Sequence, residues 1–217
     1  MSLPPSPPRT GAKKRATGSA PKSSLPKSSA GASAKGMARR EEILTGLMNR
    51  LSRQELRNPS LREIGRALGI EPAHILYYFS SREELLQQVI IRWDDDARRA
   101  APEGGDTLDD FARHIRRNMT IPGIMHLYLT FAAEAVEAQH PAHDFFLKRF
   151  EAVSARLEHH IRLEQAEGTI PASVNPASRA RQLIALSDGL QLQSLVDPTV
   201  DAYGEMMDAI AALRQKS

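Results

Sequence analysis

The chain has 217 residues, 41% of them hydrophobic, which suffices for one large or two small domains with a real core. It has no cysteine, so disulfides and thiolate metal sites are excluded, and it has no apolar run long enough to cross a bilayer; a soluble, cytoplasmic protein is the expectation. The net charge of +3 is unevenly spread: residues 1–36 carry +7, residues 37–93 carry +2 and residues 94–217 carry −6, so the two ends are expected to do different work.

Residues 1–36 contain six prolines, eight serines and four glycines, with Leu3 and Leu25 the only large aliphatic residues. Such a stretch cannot bury enough surface to offset its ordering entropy, and disorder is predicted. Three readings compete for it. It is a solvated tail, or even lies upstream of a start at Met37; it is a polycationic arm that would strengthen binding to a polyanion such as DNA without reading sequence; or it is a Ser-rich, acid-free organelle transit peptide. Lys and Pro outnumber Arg and no amphipathic helix is visible, which weighs against the third. With no apolar h-region, a secretory signal is excluded.

From Ala38 to Arg53, the spacing of Ile43, Leu44, Leu47, Met48 and Leu51 predicts an amphipathic helix. Arg39 and Arg40 sit at its start, where the helix dipole disfavours positive charge. They suggest an external anion, phosphate above all, or else a solvated pair offset by Glu41 and Glu42. Ser60-Leu-Arg-Glu63 is a capping box that predicts a helix from Leu61, and Gly69 is its stop, because glycine enters the left-handed conformation without steric cost. Glu71-Pro72 then supplies an N-cap acceptor and a first-turn proline, with Ile75, Leu76 and Phe79 facing inward. Two helices and one sharp turn make a helix-turn-helix. Ser81-Arg-Glu-Glu84 is a second capping box, opening a helix with Leu85, Leu86, Val89 and Ile90 buried.

The run SLREIGRALGIEPAHILYYFSSREELL resembles the DNA-binding domain of the tetracycline-repressor (TetR) family of bacterial transcriptional regulators, over roughly Ala38 to Ile91. Where that family usually carries serine or threonine, glycine or another small residue, and histidine, this chain has Glu71, Ala73 and Tyr78. Glu71 is read as a cap, with contact to a cytosine amino group the other reading. The resemblance implies that Ser60 and Arg82 hold DNA phosphates. A helix in the major groove presents its N-terminal residues to base edges, so Ala73 and His74 are expected deepest, with Tyr77 and Tyr78 on the flanking backbone and Arg62 the next candidate. Either tyrosine has an alternative place beside Phe79.

The helix from Ser81 is expected to run through Trp93 and the Asp94-Asp95-Asp96 solvated face to about Ala101, before Pro102-Glu-Gly-Gly105 separates two domains. Thr107-Leu-Asp-Asp110 caps a segment to about Met119. Pro122-Gly123 introduces Ile124 to Ala138, apolar enough to be the central buried helix. Pro141 opens a long helix to about Glu167, ended by Gly168; Asn175-Pro176 opens one to about Val196; Asp197-Pro198 opens the last, ending near Leu213.

Catalytic motifs are missing: there is no phosphate-cradling glycine loop, no Ser-His-acid signature and no H-E-x-x-H, so no enzyme, cofactor or metal is predicted. His140 and His143 lack a third ligand. Met119, Met125, His126, Tyr128 and Phe131 are candidates for an apolar ligand pocket, His126 alone reading better as a satisfied core histidine. The text ARQLIALSDGLQLQSLVDP resembles the penultimate helix of many TetR-family members, whose last two helices make the dimer; this implies a homodimer interface at Leu183, Leu186, Leu190, Met206 and Ile210, some of which can equally be intramolecular core.

The expectation is therefore an all-α chain: a basic tail over 1–36, a three-helix helix-turn-helix domain over 37–92, and a helical-bundle ligand-binding and dimerisation domain over 93–217. The function implied is a DNA-binding transcriptional regulator, a repressor released from a palindromic double-stranded operator by an unidentified small-molecule effector. The alternative is a helical DNA-binding protein without effector, whose acidic C-terminal domain docks a partner protein.

Overall fold

A computed structural model describes residues 34–99 and 107–214 of the chain. The predicted tail up to residue 33 and the Pro102–Gly105 break lie outside the described residues. Among those described there are nine α-helices and no strand.

Helix α1 spans Ala34–Ser52, so Ala34, Lys35 and Gly36, assigned above to the tail, are helical. Its apolar stripe is fully engaged: Ile43, Leu47 and Leu51 are buried. Helix α2, Leu61–Leu68, has the predicted capping box, with Ser60 and Glu63 satisfying each other's backbone N–H groups, and ends at Gly69 with φ 65°. Helix α3 spans Pro72–Tyr78. The tight turn between them depends on Gly65, because a Cβ there would lie 2.6 Å from the Ile70 carbonyl oxygen and 3.3 Å from the Pro72 ring. Helix α4 spans Arg82–Arg99. Ser81 caps it by accepting from the Glu84 N–H at 3.0 Å, while the Glu84 carboxylate reaches one residue further back and accepts from the Ser80 N–H at 2.6 Å. Leu85, Leu86, Val89 and Ile90 are wholly buried.

Helix α5 spans Leu108–Met119 behind the predicted Thr107/Asp110 capping box. Helix α6 begins at Pro122 but stops at Glu134, four residues short of expectation; Val136, the apolar residue that suggested its continuation, is 73% exposed in the turns that follow. Helix α7 spans His143–Ala166 and α8 Pro176–Val196, the latter capped by Asn175 as predicted. Helix α9, Ala202–Arg214, starts later than Asp197-Pro198 suggested. Asp197 instead closes a local turn on the N–H and hydroxyl of Thr199, and the first-turn cap comes from Asp201, which accepts from the Gly204 N–H at 2.9 Å.

Two apolar clusters hold these helices. One joins α1 to α4 with α6 and Phe146 of α7; the other joins α5, α8, α9 and the second half of α7. The first cluster matters for function, because the helix-turn-helix core runs without a break into α6. Backbones meet closely there: a Cβ on Gly123 would lie 2.0 Å from the Leu51 carbonyl oxygen. Polar ties reinforce the junction. Asn58 donates to Glu134 at 2.7 Å, and Arg82, from the start of α4, donates to the Pro59 carbonyl at 2.8 Å and to Asn58 at 2.5 Å, with Glu134 3.7 Å away. In the second cluster Arg214 of α9 bonds Glu164 of α7 at 2.7 Å and Asp109 of α5 at 2.9 Å.

Candidate functional site

Helix α3 is only two turns long, and its surface is set by which side chains its neighbours take. Ile75 and Phe79 are buried; Ala73, His74 and Tyr77 are exposed, Tyr77 by 61%. Leu76, expected inside, is 44% exposed. Tyr78 packs partly against the core, edge-on to Tyr77 at 5.0 Å, which is the alternative place foreseen for one of the two rings. His74 lies 5.7 Å from the Tyr78 ring, so His74, Tyr77 and Tyr78 form one aromatic ledge. Glu71 occupies the N-cap position without making a cap hydrogen bond, contrary to the reading of it as a cap.

The arginines divide. Arg40 donates to the Tyr78 carbonyl, pairs with Glu84 at 2.6 Å and stacks 4.2 Å from the centre of the Phe79 ring, so it clasps α1, α3 and α4 and is not a free phosphate ligand. Arg82, which the resemblance aims at phosphate, is likewise engaged by Asn58, Pro59, Glu83 and Glu134, its side chain 19% exposed. Arg39 is drawn to Glu42 at 2.6 Å. Ser60 remains exposed, but its hydroxyl is already used within the capping box. Arg62 is exposed on α2 with no partner among the described residues, and so is Arg57, just ahead of that helix. Sequence reasoning passed over Arg57; the signal was a basic residue in a loop whose nearest acid, Glu55, is taken by Arg50.

A cavity of about 480 Å³ opens among α4, α5, α6, α7 and α8. Of the residues expected at a ligand pocket, Met125 and Tyr128 of α6 line this cavity, and Met119, His126 and Phe131 do not. Phe131 is wholly buried in the core, and His126 is half-buried with its Nδ1 lacking a partner among the described residues, so it is not the satisfied histidine expected either. The remaining apolar wall comes from Trp93, Phe111, Ile115, Phe145 and Val153. The indole N–H of Trp93 is buried and finds no acceptor among the described residues.

The polar wall was not foreseen. Asp94, read as part of a solvated face, takes both guanidinium nitrogens of Arg149, whose plane lies 5.2 Å from the centre of the Tyr128 ring. Asp95 and Asp96 pair with Arg98, Arg92 and Arg99, so the acidic triplet is fully engaged. Asp188 of α8 accepts from the Tyr128 hydroxyl at 3.4 Å. Burial pushes the Asp188 carboxyl up to about 6 and raises the Tyr128 hydroxyl as well. Asn118, Gln191 and Ser187 complete this wall and bond one another at 2.7 and 3.0 Å. His140 and His143 are turned to the backbone, at the Ala142 N–H and the Ala135 carbonyl.

The residues of the expected dimer stripe sit at the alternative place, the chain's own core. Leu183, Leu190, Met206 and Ile210 are buried in the second apolar cluster of their own chain, and Leu186 packs against it. What α8 leaves outward is Ala185, Gly189, Leu192 and Val196, spaced so as to share one helix face; Leu192 is 53% and Val196 81% exposed, and nothing lies within 4 Å of where a Gly189 Cβ would be.

Comparison with known proteins fits this geometry. Residues 43–89 match the model of bacterial regulatory proteins of the tetR family. A protein from Rhodococcus sp. described as a TetR-family transcriptional regulator is 23% identical, with 82% of this chain and 100% of that one aligned and a TM-score of 0.67. Salmonella enterica GusR is 20% identical over 85% and 98% of the two chains, with a TM-score of 0.62. A regulator from Saccharomonospora viridis, solved in complex with choline, is 21% identical over 80% and 96%, with a TM-score of 0.61. At these identities the likeness establishes the fold. Comparison with curated proteins gives no significant match.

Proposed function

We propose that this chain, which carries the tetR-family segment of bacterial regulatory proteins at residues 43–89 on the fold of TetR-family regulators, is a repressor that binds a two-fold operator as a homodimer and leaves it when a small molecule enters the cavity. The observation that carries the reading is the exposed ledge of Ala73, His74 and Tyr77 on a short helix whose other face is locked into the core. Such a surface suits base edges, with the exposed Arg57, ahead of α2, and Arg62, on it, as the cations for phosphate.

Release needs a physical link, because a ligand shifts an equilibrium only by its differential affinity for two arrangements. The link available is short. Trp93 and Asp94 on α4, and Met125 and Tyr128 on α6, line the cavity, and those two helices pack directly into the core that holds α3. A ligand that moves either helix moves the reading surface. The two-fold operator follows from dimerisation through the outward face of α8, which presents Leu192 and Val196 to a second copy.

Selection of bound DNA from a random pool by the full chain tests this. Enrichment of an inverted repeat with half-sites about one helical turn apart is the expected outcome. Retention of all sequences alike, with affinity set by salt alone, would overturn it.

A further inference from the structure

Taking the cavity as the effector site, as proposed above, its charges say what chemistry it accepts. Two acids reach its wall and they are not equivalent. Asp94 is held by both terminal guanidinium nitrogens of Arg149; burial raises its carboxyl, and Arg149, Arg98 and Arg156 act against that rise. Asp188 has one hydrogen bond among the described residues, the Tyr128 hydroxyl at 3.4 Å, well beyond the usual length for such a bond. Its polar neighbours are occupied with one another, Gln191 donating to Ser187 and accepting from Asn118. Arg149, bidentate on Asp94, reaches Asp188 only through its field, so this partly buried carboxylate has no ion pair of its own among the described residues, and a ligand cation would relieve it.

The cations around the cavity do not make an equivalent site for an anion. Arg149 is spent on Asp94, Arg98 is paired with Asp95, Arg156 acts on Asp94, and Lys148 is exposed. The apolar wall favours the same choice, since aromatic faces such as those of Trp93 and Phe145 attract a cation that has lost its water. We propose that the cavity takes an organic cation, a substituted ammonium on an apolar body, seated with its charge against Asp188 and its body among Trp93, Tyr128 and Phe145.

Calorimetric titration of the full chain without DNA tests this with benzyltrimethylammonium, dodecyltrimethylammonium and, as the anion of matching shape, 3-phenylpropionate. At neutral pH at least one cation is expected to bind, and to bind about tenfold or more tighter than the carboxylate, as a close desolvated charge pair implies. Asp188→Asn should remove that advantage and Asp188→Glu should keep part of it. Because burial places the Asp188 carboxyl near 6, acidification through pH 6 should weaken the cation more in the wild-type chain than in Asp188→Asn, where Asp94 and His114 are the titratable groups left on the wall. A melting curve for Asp188→Asn at or above that of the wild type shows that lost binding is not lost folding. Tighter binding of phenylpropionate, full cation affinity in Asp188→Asn, or no saturable binding of either ammonium at millimolar concentration overturns the proposal. Cation binding that leaves DNA affinity unaltered supports it while removing the regulatory reading; release of DNA by the carboxylate alone does the reverse.

Discussion

Single residues in this chain trade solvation against partners, and Asp188 shows the trade most directly. Its carboxyl titrates near 6 in the fold, against about 3.9 in an unfolded chain, because burial penalises the charged form. The folded state therefore binds more protons between those values, and this group's contribution to stability falls as pH rises from about 4 to about 6. Asp188→Asn should thus stabilise the protein above pH 6 by on the order of 1–2 kcal/mol, with no gain below about pH 4. Denaturant unfolding at pH 7.5 and pH 4 checks it; equal stability at both would mean that the site is solvated. Arg82 makes the opposite case. Motif reasoning aimed it at phosphate, yet four protein groups hold it. Arg82→Ala is expected to cost on the order of 2 kcal/mol in thermal or chemical unfolding, from lost charge-assisted bonds that leave the Pro59 carbonyl and the Asn58 side-chain oxygen without their donor. A variant as stable as the wild type but weaker on all DNA would return Arg82 to the phosphates.

Helix boundaries were legible where a cap fixes them, because caps are local: Ser60/Glu63, Thr107/Asp110 and Asn175 start helices where the sequence places them. The misses had equally local causes. Asp197 looked like a cap followed by a first-turn proline, but its carboxylate closed on Thr199 instead. Which face of a helix is buried was not legible for α8 and α9, since apolar residues suit a core and an interface alike. Leu183 and Ile210 took the core. The outward face of α8 gives the dimer prediction its new form: Leu192→Glu places a charge at the centre of the proposed interface and should yield a folded monomer in sedimentation, with poor operator affinity. A surviving dimer would place the contact elsewhere. Polar cavity walls were unreadable for another reason. Asp94, Arg149 and Asp188 lie on three helices far apart in sequence, and neither the acidic triplet that holds Asp94 nor the α8 segment that holds Asp188 points to a cavity.

At the scale of the molecule, the account depends on one apolar core shared by α1 to α4 and α6. At Gly123 the two halves of that core touch closely, α6 against the Leu51 carbonyl. Gly123→Ala must push α6 away; a loss of about 1–3 kcal/mol is expected from the overpacking, together with altered DNA affinity even without ligand. Unfolding and DNA titration of this variant together check the link, and a destabilised variant with unchanged DNA affinity would mean that α6 does not bear on the reading helix.

The central claim is that the α3 ledge reads DNA while the rest of the molecule positions it. The most direct test is the affinity of wild type and His74→Ala for the selected operator and for each of its single-base variants. The account predicts that His74→Ala loses discrimination at one base pair per half-site, worth roughly 1–3 kcal/mol, with the profile elsewhere preserved. An unaltered profile would contradict it and move the reading surface to Arg62 on the preceding helix.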